Sequence, residues 1–233
     1  MYKGQKSVRG GIEDFLCPFT DMFITQGSNM RPSHMGIMAN DVRGKESGVR
    51  YAYYAPCTCK CIKTYPASGQ VMWQSLSKVR FANGRIDYAT FMTCHDDTMD
   101  AKPSQVVSQG DQLGNMGTKG NATGVHCHIE VSQSSDTSWT KNNYGVWHFN
   151  NEYDLDDCYF VDNTNIINGM GGNWRLTNAV SVGEAVDQIL HVGSKVQLTG
   201  TYTVKKIDVK NNKAMINVTG DDVWLSSTPL KEV

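Results

Sequence analysis

The tripeptide His126-Cys127-His128, within Thr123-Gly-Val-His-Cys-His-Ile-Glu-Val131, carries the most concentrated chemistry in the chain. Side chains alternate faces along a strand, so His126 and His128 project to one side while Cys127 points away. Ile129 and Val131 continue the alternation, and glycines at 117, 120 and 124 provide turns ahead of it. Two convergent imidazoles can hold a metal, or divide the work between holding a metal and moving a proton. The plain alternative is a pair of histidines on a solvated strand face.

The other histidines bear on that choice, because the chain has only six. His34 lies in Arg31-Pro-Ser-His-Met-Gly-Ile-Met-Ala-Asn-Asp41, a turn-forming lead-in followed by a short apolar run that ends in a carboxylate. His95 closes the apolar run Tyr88–Cys94 and precedes Asp96 and Asp97, which places it at a strand end. Catalytic zinc takes three protein ligands of the His, Asp, Glu or Cys type and keeps a fourth position for water. His34, Asp41 and one member of the HxH pair satisfy that count. His95 and the other HxH member are then left to orient or deprotonate water and to stabilise a developing oxyanion.

The elements that must position these groups read mostly as strands. Phe15–Thr25, Arg50–Tyr65, Val71–Leu76, Lys78–Phe81, Arg85–Thr93 and His126–Val131 carry β-branched and aromatic residues between Gly, Asn and Ser punctuation. Asn83-Gly84 between two such runs signals a hairpin. Helical periodicity is scarce; Thr98–Ser108 and a turn near Val182–Leu190 are the candidates.

The segments Ile24-Thr-Gln-Gly27, Ser33-His34 to Asp41, Val107-Ser-Gln-Gly-Asp-Gln-Leu-Gly-Asn-Met-Gly117 and Thr123 to Val131 follow one another in an order that resembles a lysostaphin-type zinc endopeptidase. The resemblance is closer to the versions found in phage endolysins of Gram-positive hosts and covers roughly residues 15 to 133. It implies an antiparallel β-sheet core with a catalytic groove, which the strand pattern supports independently. It also implies zinc held by His34, Asp41 and His128, with His126 and His95 as catalytic partners. His126 is expected as general base and His95 as hydrogen-bond partner of the tetrahedral oxyanion, roles that are exchangeable. The implied reaction is hydrolysis of a peptide bond in peptidoglycan by water that zinc activates, without a covalent acyl-enzyme. One departure stands out: six residues separate His34 from Asp41, where the commonest form of the motif has three. A shifted strand register would instead bring Asn40 to the metal, although a neutral amide is a much poorer zinc ligand.

Composition is compatible with this reading and excludes others. The chain has 233 residues, enough for a catalytic domain plus a small module, and a net charge of -1 with the two signs interspersed. There is no basic footprint for nucleic acid and no apolar run long enough to span a membrane. The N-terminal stretch has basic residues but no apolar segment after them, so the expected route is synthesis in a host cytoplasm without a signal peptide, followed by release to the wall. Seven cysteines, including Cys57-Thr-Cys59-Lys-Cys61, offer a competing thiol metal site or a disulfide. A single CxCxC without a second knuckle and an odd count favour small buried hydrophobes, with Cys57, Cys59 and Cys61 on one strand face and Cys127 in the core.

After Val131 the composition turns polar and then aromatic and acidic; His148 falls here without a second ligand at metal spacing and reads as structural or solvated. The expected organisation is a peptidase domain over 1–168, a Gly-rich linker over 169–178 and a second module over 179–233. Short strands in the last segment are similar to a bacterial SH3-like cell-wall-binding barrel, with Tyr202 and Trp224 as wall contacts or core aromatics and His191 at a strand edge. Loops Glu46–Val49, Asp96–Gln105 and Ser134–Asn143 are where bond specificity is expected. The short chain and the SH3-like wall-binding module lead us to expect a free phage endolysin that serves host lysis; the two alternatives are a metal-binding but inactive scaffold or activator of wall hydrolysis, and a virion tail-associated wall enzyme.

Overall fold

The computed structural model describes residues 1–153 and Leu155 in full, and beyond them the backbone of the strands Tyr159–Val161, Asn165–Asn168, Val180–Val182, Val204–Asp208, Lys213–Val218 and Asp221–Ser226. The protein is mainly antiparallel β. Among the described residues the helical content is the short 3-10 turn Pro66–Ser68 and the single 3-10 residue Leu155, and no helix is long and apolar enough to cross a membrane.

One large sheet organises the molecule. Its strands, in chain order, are β1 (Asp21–Gln26), β2 (Asn40–Arg43), β3 (Cys59–Tyr65), β4 (Gln70–Ser75), β5 (Thr90–Cys94), β6 (Val106–Val107), β7 (Cys127–Ser132), β8 (Glu152–Tyr153) and β9 (Asn165–Asn168). In space they run β6-β3-β4-β5-β7-β2-β1-β9, with β8 pairing the end of β7. All pairs are antiparallel except the outermost, β9 on β1. β7 is central and buried along its whole length.

The two faces of β7 differ as the alternation requires. Cys127, Ile129 and Val131 point into the main core with Val42, Trp73, Phe91, Phe15 and Phe81. On the opposite face a row crosses the sheet by register: Gln26 pairs with Asp41, Asp41 with His128, and His128 with Cys94. A one-residue slip of β7 would send both histidines into the apolar core, so the buried side fixes the register.

The expected strands are present but shorter at several places. Phe15–Thr25 begins only at Asp21, and Arg50–Tyr65 is divided into Ala52–Tyr54 and Cys59–Tyr65. Pro18 and Pro56 stand in the interrupted stretches, where the missing N–H cannot join a ladder. The Asn83-Gly84 hairpin forms: Val79–Arg80 pairs with Ile86–Asp87, and Gly84 takes φ +84° while donating to the Phe81 carbonyl at 2.9 Å. Thr98–Ser108 is not a helix. The Asp96 carboxylate captures the Thr98 and Met99 N–H groups at 2.8 and 3.0 Å, and the chain then enters β6. A side chain that satisfies these donors locally competes with helix formation. The other helical candidate begins in the strand Val180–Val182, and its remainder lies outside the described residues.

Cys57, Cys59, Cys61, Cys94 and Cys127 are buried free thiols, Cys17 is buried with its Sγ 3.8 Å from Met22 Sδ, and Cys158 lies outside the described residues. Burial pushes the Cys57 thiol well up and the Cys59 thiol above its ordinary range, as expected of inert core residues.

The chain divides into two compact units, Met1–Ala185 and Val186–Val233. In the first, Val180–Val182 pairs in parallel with Tyr159–Val161. In the second, Val204–Asp208, Lys213–Val218 and Asp221–Ser226 form a three-stranded antiparallel sheet. The expected linker 169–178, Tyr202 and His191 lie outside the described residues; Trp224 is defined by its strand position opposite Met215.

Candidate metal centre and groove

Four histidines and one aspartate meet at one end of the row on the polar face of the sheet. Asp41 reaches the site from β2 and His128 from β7, whereas His34 comes from the loop between β1 and β2. One ligand atom each from His34, Asp41 and His128 lies within 4.8 Å of the others. Asp41 Oδ1 is 2.9 Å from His128 Nδ1, 3.5 Å from His34 Nε2 and 3.6 Å from His126 Nε2. Tetrahedral zinc with bonds of about 2.0–2.1 Å places donors about 3.3 Å apart, and the 2.9 and 3.5 Å separations of the two imidazoles from Asp41 bracket that value, with donor types that suit zinc. Asn40 is fully buried beside Asp41 and, by alternation, on the opposite face; its amide donates to Ser28 Oγ at 3.4 Å. The register therefore brings the carboxylate, not the amide, to the cluster.

Backbone carbonyls fix three of the four rings. His34 Nδ1 lies 3.2 Å from the Gly27 carbonyl, His95 Nδ1 2.7 Å from that of Lys119, and His126 Nδ1 2.8 Å from that of Gly124. A carbonyl only accepts, so Nδ1 carries the hydrogen in each and Nε2 presents its lone pair elsewhere. His128 is turned the other way, with Nδ1 toward Asp41 and Nε2 3.3 Å from Glu130 Oε1.

The His95 ring packs on that of His126 with centroids 4.6 Å apart. His95 leaves β5 with φ +73°, a left-handed conformation that swings its ring back over the sheet. The segment Gly117-Thr118-Lys119 clamps the pair. Gly117 exchanges backbone hydrogen bonds of 3.1 Å with His126, while the Lys119 N–H donates to the His95 carbonyl at 3.2 Å. The Asp97 carboxylate accepts from the Thr118 N–H at 3.0 Å and from Arg50 at 2.7 Å. A Cβ on Gly117 would overlap the His95 carbonyl oxygen, so glycine is what permits this approach.

Burial pushes His34 down to about 4, with the neighbouring His128 adding to the effect, and burial likewise lowers His95 to about 4. Burial acts to lower His128 too, but its hydrogen bonds to Asp41 and Glu130 outweigh that and raise it to about 10. Asp41 is held below the usual carboxylate range: burial opposes this, and the hydrogen bond from His128 prevails. Without metal, His128 is thus an imidazolium between two carboxylates, and binding an ion through Nδ1 must release a proton.

The cluster opens into a groove of about 470 Å³ lined by Gln26, Ser33, Gln70, Met92, Asn121 and Trp147, among others. The hairpin Trp139–Lys141 with Trp147–Phe149 forms one rim, where Trp139 stacks between Tyr65 and Trp147 at centroid distances of 5.4 and 5.2 Å. His148 sits on this hairpin, 3.1 Å from Glu152, away from the four-histidine cluster. Sequence reasoning missed Glu130 and Trp147. The signal for Glu130 was the same two-residue period that aligned His126 with His128.

The fold and the site together define a mainly antiparallel β protein with a candidate His/Asp/His metal centre at the floor of a groove. No protein-family profile matches the chain. It is 31% identical over 171 residues to Morphogenesis protein 1 of Bacillus phage B103, an alignment covering 73% of this chain and 46% of that protein. The chain therefore spans about half the length of the curated relative it matches. Among solved structures it is similar to a zinc containing peptidase from Vibrio cholerae, with a TM-score of 0.38 and 22% identity over 51% of this chain and 36% of the other. It is also similar to the catalytic domain of the prophage-encoded M23 protein EnpA from Enterococcus faecalis, with a TM-score of 0.33 and 16% identity over 58% of this chain and 89% of the other. Both structural likenesses are partial, and the chemistry of the site rests on its own residues.

Proposed function

We propose that this chain is a zinc-dependent endopeptidase that hydrolyses peptide bonds of bacterial peptidoglycan, in the stem peptide or the cross-bridge, on behalf of a phage. The observation that carries the reading is the convergence of His34, Asp41 and His128 within 4.8 Å at the floor of an open groove, with His95 and His126 beside them. His34, Asp41 and His128 would hold the ion. Zinc, when bound, supplies Lewis acidity that polarises the scissile carbonyl and makes water a nucleophile near neutral pH.

The chain's own groups do the rest. His126 presents the Nε2 lone pair toward the cluster, with Nδ1–H held by Gly124, and is placed to take a proton from the attacking water. His95 also presents Nε2 as an acceptor, because Nδ1–H is committed to Lys119. Burial holds this ring neutral near pH 7, so it would donate to an oxyanion only if it received the proton taken from the attacking water. Buried walls around His34 and His95 lower the local dielectric and strengthen these interactions.

An intact donor set favours an enzyme over an inactive scaffold. The name of the phage relative, a morphogenesis protein, favours a virion-associated wall enzyme over a freely released endolysin. The C-terminal unit is assigned to holding the enzyme on the wall, raising the local concentration of scissile bonds.

The test is digestion of purified Gram-positive walls, followed by the appearance of free amines, with chelator and with zinc restored. Chelator-sensitive, zinc-rescued release supports the reading. A zinc-loaded protein that releases nothing from any wall sinks it. Detection of the chain in purified virions decides between the two phage roles.

A further inference from the structure

We infer that Glu130 is the positioning residue of the metal centre: its carboxylate accepts the Nε2–H of His128 and thereby turns the Nδ1 lone pair of that ring toward the metal. The inference rests on the metal-centre reading above. It goes further by naming a residue outside the ligand set.

Four observations support it. Glu130 is 1% exposed and lies two positions from His128 on the same strand face. Its Oε1 is 3.3 Å from His128 Nε2, while its Oε2 is buried with no hydrogen-bond partner among the described residues. In register it stands opposite Met92, which belongs to a small apolar cluster with Met72, Cys94 and Phe149. An apolar side chain would be the cheaper occupant of such a place, since a buried carboxylate with one oxygen unbonded costs stability.

The contrast among the four rings says what the cost is for. His34, His95 and His126 all have Nδ1 tied to a backbone carbonyl, so main-chain geometry sets their tautomers and leaves Nε2 for the site. His128 must work in the opposite sense, with Nδ1 toward Asp41, and among the described residues its Nε2 faces a carboxylate and not a carbonyl. Glu130 supplies that carboxylate. A carboxylate behind a ligating imidazole fixes ring orientation and raises ligand basicity, and losing one typically costs 10–100-fold in metal affinity.

The experiment is a competition titration with zinc and a chromophoric chelator on the full chain, comparing wild type, Glu130→Gln and Glu130→Leu. Glutamine keeps an acceptor oxygen of similar reach; leucine keeps the volume and removes the acceptor. Zinc affinity of Glu130→Leu is expected to fall about 10–100-fold, with Glu130→Gln recovering most of it. Equal affinity in Glu130→Leu and wild type overturns the role. Independently of how any variant folds, long-range ¹H–¹⁵N spectra of the zinc-loaded wild type are expected to show His128 protonated at Nε2. Protonation at Nδ1 overturns the proposal outright. A wild-type chain that takes up no zinc removes the metal centre itself, and the role of Glu130 with it. Loss of wall hydrolysis with zinc still bound would fault the substrate reading alone.

Discussion

His128 Nδ1 and Asp41 Oδ1 lie 2.9 Å apart and stand directly opposite one another on adjacent antiparallel strands. Cross-strand partners on one sheet face are close neighbours by construction, so the backbone ladder delivers both groups together without help from loops. His34 then approaches from a loop, with Nε2 3.5 Å from the same carboxylate oxygen. Two of the three donors are thus set by sheet register and the third by a turn. The substitutions below separate these contributions.

Replacing Asp41 by Asn or His128 by Ala is expected to weaken zinc binding by at least tenfold, because each removes a donor of the proposed three-ligand set. Zinc content after exhaustive dialysis measures it. Stoichiometric zinc in either variant would remove that residue from the ligand set.

His126→Ala and His95→Ala are expected to keep zinc and lose hydrolysis by 10²–10⁴-fold, the usual range for removal of a positioned proton-transfer group. Retained activity in one of them would assign proton handling to the other ring.

Gly117→Ala is expected to destabilise the protein by about 1–3 kcal/mol, since a methyl must push against the His95 carbonyl and overpacking at a rigid contact costs that much. Activity should fall further than at a remote site of equal destabilisation, because the shift is passed to the His95–His126 pair. Thermal unfolding and turnover measured together check both halves.

The metal-free protein should lose stability as pH falls from about 6.5 to about 4. His34 and His95 both have folded-state values near 4, below the unfolded value of 6.5. Across that window the unfolded chain binds protons that the folded chain refuses, so stability drops with pH. His128 acts in the other direction: raised to about 10, its contribution is fully present below 6.5 and fades as pH climbs through 10. Melting temperature against pH without metal should therefore fall by several degrees on the acid side. A flat acid limb would contradict the burial of His34 and His95.

Zinc at about 100 times the wild-type dissociation constant should raise the melting temperature of wild type clearly more than that of Asp41→Asn. A ligand at 100 times its dissociation constant stabilises by about 2.7 kcal/mol if the unfolded chain does not bind it. An equal shift in both proteins would place the ion elsewhere.

The alternation of His126, Cys127 and His128 was legible because a strand has a period of two, and the burial of Cys127 against Val42 follows from the same rule. The mainly β class and the hairpin at Asn83-Gly84 were legible for similarly local reasons. Glu130 obeyed the same period and was passed over, since a carboxylate two residues beyond a histidine gives no sign of being buried. Local sequence could not foretell that the Asp96 side chain would capture the N–H groups that a helix at Thr98 would need. Sequence alone determined which residues share a face: His126, His128 and Glu130 on one, Cys127, Ile129 and Val131 on the other. Tertiary structure decided which strand lies beside that face, placing Asp41 rather than Asn40 opposite His128, and how the left-handed turn at His95 brings its ring to His126. The physical reason is range. Alternation is a property of one strand's own backbone, whereas register and loop closure depend on burying an apolar face shared by segments more than eighty residues apart, Asp41 and His128 among them.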